Sequence, residues 1–300
     1  MPEHFADRMA AALRRSQSRV CVGLDPAIDG VARAVGVTLD PNDAGAAANA
    51  IWEFNRRTLD AVQPYCGVVK PQSAFYEVWG PAGIEALRKT MQGAGEMGLI
   101  CILDAKRNDI ASTAVAYAEA YLADGPLACD AITVNPYLGR DGITPLLERA
   151  RPRGKGLFAL VKTSNSSSAE VQDVRLESGK LLYEHVGDLV AEWGADNVGA
   201  CGYSDVGAVV GATFPEELSA LRRRLPRTWF LIPGYGRQGG TAADVAPGFD
   251  AEGLGAVVNS SSGIIFAGKA QPGVDFAAAA GGAAREMREA LEAALEARHC

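Results

Sequence analysis

Histidine is scarce in this chain of 300 residues, with three in all, at positions 4, 185 and 299. They lie in terminal or helix-like segments and read as surface residues. The six cysteines (21, 66, 101, 129, 201, 300) are scattered, with no CxxC pair and no Cys/His cluster, so no zinc-type site is expected. Met1 to Ser18 mixes Glu3, Asp7, Arg8, Arg14 and Arg15 with alanines, which reads as an amphipathic helix and not as a signal peptide. Free thiols buried in apolar runs and a reducing cytoplasm are the expectation. No apolar run approaches the roughly 18 residues of a membrane span. An excess of basic charge is also lacking. The 29 Lys and Arg against 36 Asp and Glu leave a net charge of −7 and a pI near 5.1, so no global field recruits nucleic acid. A phosphate-bearing ligand would need a local site.

What is present is a repeating pattern in a chain 48% hydrophobic and 22% charged. Short apolar runs predict strands at Val20–Leu24, Gly67–Lys70, Leu99–Asp104, Ala131–Val134, Leu157–Val161, Gly207–Gly211, Trp229–Ile232 and Ala256–Asn259. Helical spacing occupies Ala44–Val62, Ile84–Met97, Thr113–Leu122, Ser178–Trp193 and Pro215–Arg224 between them. Strands alternating with helices predict an α/β protein, a (β/α)8 TIM barrel, with a doubly wound open sheet as the alternative. No Pro/Gly/Ser linker divides the chain, so residues 1–300 read as one domain, with an N-terminal helix near 3–18 and a C-terminal helix near 276–298 that covers the outer layer.

The polar residues fall at C-terminal strand ends, where barrel enzymes keep their active sites. Asp25, Lys70, Asp104 with Lys106, Thr163 to Asn165, Gly234 to Gly240 and Ser260 to Gly263 all follow that rule. Asp104 and Lys106 are two apart and share a strand face. Asp109 follows at a turn into a helix that it or Asn108 could cap. Two carboxylates interleaved with two ammonium groups keep the lysines charged. Such a set suits a reaction that expels one anion and then protonates a carbanion.

These residues carry a resemblance. Leu103-Asp-Ala-Lys-Arg-Asn-Asp-Ile110 resembles the core of the orotidine 5′-phosphate decarboxylase family, its longer bacterial subfamily in particular. So do Val22-Gly-Leu-Asp-Pro26, Val69-Lys-Pro-Gln-Ser-Ala-Phe75, Val134-Asn-Pro-Tyr137, Val161-Lys-Thr-Ser-Asn165, Val210-Gly-Ala-Thr213, Ile232-Pro-Gly-Tyr-Gly236 and Val258-Asn-Ser-Ser261. The resemblance implies decarboxylation of orotidine 5′-monophosphate to uridine 5′-monophosphate, without metal or organic cofactor. Lys106 would protonate C6, and Asp104 would face the substrate carboxylate, acting through ground-state destabilisation or transition-state electrostatics. Asp109, Ile110 and Thr113 would reach the partner's site in a homodimer. Lys70 and Asp25 would hold the ribose hydroxyls. Ser164, or else Thr163 or Asn165, would read the pyrimidine amide edge.

The segment Pro233-Gly-Tyr-Gly-Arg-Gln-Gly-Gly240, with Pro233, Gly234 and Gln238, and the residues Ser261 and Ser262 would bind the phosphate. Here the chain departs from the family, which carries an arginine where Ser262 stands. Arg237 occupies a position where a small residue is usual, and either supplies the missing charge or points to solvent. Two other functions share parts of the pattern. Mg-dependent sugar-phosphate decarboxylases or aldolases also carry Asp-x-Lys-x-x-Asp, and a catalytically impaired nucleotide-binding barrel would tolerate Ser262.

Overall fold

The computed structural model describes residues 2–271 and 273–298, so His299 and Cys300 lie outside the described residues. Eight strands close a barrel in sequence order: β1 (Val20–Leu24), β2 (Val68–Pro71), β3 (Ile100–Arg107), β4 (Ala131–Val134), β5 (Gly156–Lys162), β6 (Val206–Val210), β7 (Phe230–Ile232) and β8 (Ala256–Ser260). Every neighbouring pair is parallel, and β8 returns to β1 through Val20 opposite Val258. Closure sets aside the open sheet. The strands are apolar on both faces because one face meets the helices and the other fills the barrel.

The outward residues pack beneath helices that include Ala44–Val62, Gly80–Glu96, Leu182–Gly194, Pro215–Arg224 and Phe276–Glu296. The Asp43 carboxylate caps the first of these by accepting from the Ala46 amide at 2.8 Å. Pro215 opens the fourth at a position where its missing N–H is harmless. The C-terminal helix closes the outer layer as expected but ends at Glu296.

The inward residues form a second cluster in which Cys21, Val68, Ile100, Ile102, Ala131, Phe158, Trp229 and Val257 meet. The N-terminal helix, Phe5–Ser16, contributes Phe5, Met9 and Leu13 to that cluster. It lies against Gly67 and Gly156, at the start of β2 and β5, and so stops the N-terminal mouth of the barrel. Phe5 meets Phe158 edge to face with centroids 6.1 Å apart, and burying such a side chain contributes roughly 2 kcal/mol. The helix is shorter than 3–18, and its role as a floor was not expected. His4 departs from the surface placement too: its Nδ1 accepts from the Ala6 amide at 3.2 Å, and its Nε2 is buried.

The five described cysteines are all free thiols. Burial pushes Cys21 and Cys129 up to about 12, so they are inert hydrophobes. Among the described residues no helix is long and apolar enough to cross a membrane.

Candidate active site

Side chains on a strand alternate, so each inward position has another inward position two residues on. Climbing from the apolar layers, Val68 is followed by Lys70, Ile102 by Asp104, Ala131 by Thr133, and Val257 by Asn259. All four of the upper residues are buried. The topmost inner layer of the barrel is therefore polar, and it sits at the C-terminal mouth. Strand β3 continues to Arg107, three residues beyond its expected end, and so carries Asp104 and Lys106 within the strand.

Asp104 is the hub. Its Oδ2 accepts from Lys70 Nζ at 2.9 Å and its Oδ1 from Lys106 Nζ at 2.6 Å. The Lys70 side chain is 5% exposed and that of Lys106 is 46%, so one cation is locked in the wall and the other faces the open cleft. Burial by itself would raise the Asp104 pKa, but the two ammonium groups outweigh it and hold the carboxyl far below its ordinary range. Burial likewise opposes the charge on Lys70, and Asp104 and Asp25 reverse that, leaving its pKa raised. Asp25, above β1, goes the other way: desolvation dominates the attraction of Lys70 and lifts its pKa.

Two lobes meet at Lys70, Asp104 and Pro233, and each is open to ligand. The first, about 400 Å³, is lined by Asp25, Gly234, Arg237, Gln238, Ser261 and Ser262. Asp25 Oδ1, Asn259 Oδ1 and Ser261 Oγ are buried at its wall, with Ser261 placed to share a hydrogen bond with Asp25. Asn259 Oδ1 has no protein partner, and a buried polar atom of that kind beside a cavity suits a polar ligand. Gly23 belongs to this wall, where a Cβ would come within 2.6 Å of the Ser261 side chain. Gly234, at φ +100°, takes a backbone turn that side-chain-bearing residues rarely adopt, and it brings Gln238 over the lobe. Arg237 reaches into the same lobe and bonds Ser262.

The second lobe, about 370 Å³, has Lys106, Thr163, Ser164 and Asn165 on one side and an apolar wall of Leu160, Val209 and Leu231 on the other. Its loop is fastened by three ties. Lys162, fully buried against the Tyr183 and Phe214 rings, pairs with Asp173. Gln172 Oε1 accepts from the Thr163 amide at 2.9 Å, and Gln172 Nε2 donates to Thr163 Oγ1 at 2.6 Å. Thr163 in turn donates to Asn165 Oδ1 at 2.7 Å.

Asp109, Ile110 and Thr113 do not line either lobe. The helix there spans Ala111–Tyr121 with Ile110 in the capping position, so neither Asn108 nor Asp109 caps it; the Asp109 carboxylate instead accepts from the Ile110 amide at 2.8 Å. Thr133 carries no signal of its own in the sequence, and Asn259 stands out only as part of a motif. The inward parity of β4 and β8 was the signal that could have found both. Lys269 and Phe266, at the rim of the first lobe, carried no such signal. Among the described residues no group of three or more His, Cys, Asp or Glu converges as a metal shell.

A family profile described as orotidine 5′-phosphate decarboxylase / HUMPS matches residues 18–276. An orotidine 5′-phosphate decarboxylase of Rhodopirellula baltica is 45% identical over 88% of this chain and 89% of its own length. One of Halobacterium salinarum is 44% identical over 96% and 98%. Among solved structures, the OMP decarboxylase of Leishmania donovani is 32% identical, with a TM-score of 0.76 over 98% of this chain and 99% of that one.

Proposed function

The chain belongs to the orotidine 5′-phosphate decarboxylase family, and from that premise we propose how its own residues divide the work. The enzyme converts orotidine 5′-monophosphate to uridine 5′-monophosphate and CO2, a step of pyrimidine nucleotide synthesis. The observation that carries the assignment of roles is the hub: one carboxylate, Asp104, held between a buried lysine and an exposed one at the junction of two lobes.

The pyrimidine lies in the second lobe against Leu160, Val209 and Leu231. The Thr163 side chain is engaged with Gln172 and with Asn165 Oδ1, which leaves Ser164 to read the amide edge. The ribose sits at the junction, where Lys70 donates and Asp25 accepts. The phosphate occupies the first lobe beside Gly234, Gln238, Arg237, Ser261 and Ser262.

The substrate carboxylate then approaches Asp104, whose charge persists because Lys70 and Lys106 hold its pKa down. Repulsion between the two anions is relieved when the C6–carboxylate bond breaks and neutral CO2 departs. The bonding electron pair stays at C6, and Lys106 Nζ delivers its proton there. The lysine and carboxylate set supplies both charge and proton, so neither a metal nor an organic cofactor has a step to perform. Asp109, Ile110 and Thr113 serve the site of a second copy in a homodimer. The free thiols fit a reducing cytoplasm, and a net charge of −7 calls for no nucleic-acid partner.

One assay tests this reading: loss of orotidine 5′-monophosphate absorbance in excess chelator, beside a Lys106→Ala control. Turnover that persists with chelator and collapses in the control is expected. Loss of activity on chelation would return the Mg-dependent reading, and a silent unmodified protein would leave a binding barrel.

A further inference from the structure

Strands β3 and β4 fall out of step where the chemistry is concentrated. Leu103 pairs with Ile132 and Arg107 with Val134, so four steps along β3 face two along β4 and residues 104–106 bulge. A bulge takes backbone amides out of the ladder, and in a buried wall each needs another acceptor. Here the acceptor is a side chain. The amides of Ala105 and Lys106 both donate to Thr133 Oγ1, at 3.1 and 3.0 Å. The same hydroxyl donates its proton to Asp104 Oδ1 at 2.9 Å.

A hydroxyl has one proton to give and two lone pairs to share, and all three are engaged. Asp104 is ionised and can only accept, which fixes the direction of every bond in the set. Thr133 is 1% exposed, so water does not compete for these bonds. Lys106 meanwhile has φ +49°, a left-handed backbone rare for a residue with a side chain. Such a conformation persists only where its surroundings over-determine it. Anchoring of its amide by Thr133 is one contact that does so.

We infer that Thr133 is a positioning residue of the reaction, holding the bulge that places the Asp104 carboxylate and the Lys106 ammonium side by side. It acts through those two groups, and the inference therefore rests on their assigned roles. Thr133→Val keeps the shape and removes all three bonds, while Thr133→Ser keeps the hydroxyl. The valine variant is expected to lose on the order of 10²-fold in kcat, the effect of displacing reacting groups by about an ångström, with KM shifted less than about threefold. The serine variant should recover to within about tenfold of the unmodified enzyme. A purely structural threonine would show no such split between kcat and KM and no rescue by serine.

A valine variant with unchanged kcat, or a serine variant as slow as the valine one, overturns the inference. Should the valine variant not fold, Thr133→Cys, close in size and a weak hydrogen-bonding partner, carries the same comparison. Lys106→Ala is assayed in parallel. If it stays active the assigned chemistry fails; if it is silent while Thr133→Val turns over normally, only the positioning role fails.

Discussion

Arg237, on the loop after β7, donates through Nη1 to the hydroxyl of Ser262, after β8, at 3.3 Å. The two residues thus meet at the wall of the first lobe, the proposed phosphate site, and the guanidinium keeps further donors free for an anion. A guanidinium supplied from one loop thereby stands beside Ser262, where the resemblance implies an arginine. Arg237→Ala should raise KM for orotidine 5′-monophosphate by about ten- to a hundredfold, the range of one charged hydrogen bond of roughly 1.5–3 kcal/mol, with a smaller change in kcat. Adding Ser262→Arg to that variant should restore binding. If Arg237→Ala leaves KM unchanged while Ser262→Arg alone lowers it sharply, Arg237 does not compensate.

The two carboxylates flanking Lys70 respond to pH in opposite directions. Asp104, held below its ordinary pKa by its lysines, contributes stability above the usual carboxylate range of about 3.9 and loses it as pH falls through its lowered value. Asp25, lifted by burial, is neutral until pH rises past its raised value, and its share of stability lies on the acid side and is lost through that rise. A neutral Asp25 accepts poorly from a ribose hydroxyl. The acid limb of kcat/KM should therefore sit above the ordinary carboxylate range, and Asp25→Asn should move or abolish it while retaining the phosphate ionisation near about 6. An Asp25→Asn profile with the same acid limb as the unmodified enzyme contradicts the assignment.

Most of the barrel was legible because its strands are short, apolar and spaced by helices. Val20–Leu24 and Ala131–Val134 match the reading residue for residue, as do the helices Ala44–Val62 and Pro215–Arg224. The reading fell short where tertiary packing overrides local pattern. Ala105-Lys-Arg107 runs past the expected strand end at Asp104, and it stays in the sheet because Thr133 replaces part of the missing ladder. The N-terminal helix is amphipathic in any context, and only closure of the barrel shows that its apolar face fits inside the strands' starting ends.

The candidate site divides in the same way. Charges placed at strand ends identify themselves, as Asp25, Lys70, Asp104 and Lys106 do. Thr133 and Asn259 do not, since a threonine or asparagine in an apolar run reads as an ordinary strand residue until inward parity is assigned. The ties from Lys162 to Asp173 and from Gln172 to Thr163 span about ten residues of irregular loop, where no periodicity links the partners.

Asp109 is three residues beyond Lys106 but lines neither lobe of the cleft that contains it. Exposed apolar residues follow the ends of β3 and β4: Ile110 is 49% exposed, Leu138 46% and Tyr137 86%. Apolar exposure at this end of the barrel suits a surface covered by another chain, and in the proposed homodimer two-fold symmetry would carry each Asp109 toward the opposite site. The consequence can be measured by mixing. Asp109→Asn and Lys106→Ala are each expected to be nearly inactive alone, for different reasons. When the two are co-refolded in equal amounts, half of the dimers should be mixed, and each mixed dimer should hold one site with an intact Lys106 and an intact Asp109. Activity should then return to roughly a quarter of the unmodified enzyme. A mixture that stays silent while native mass spectrometry shows mixed dimers would place Asp109 in the service of its own subunit.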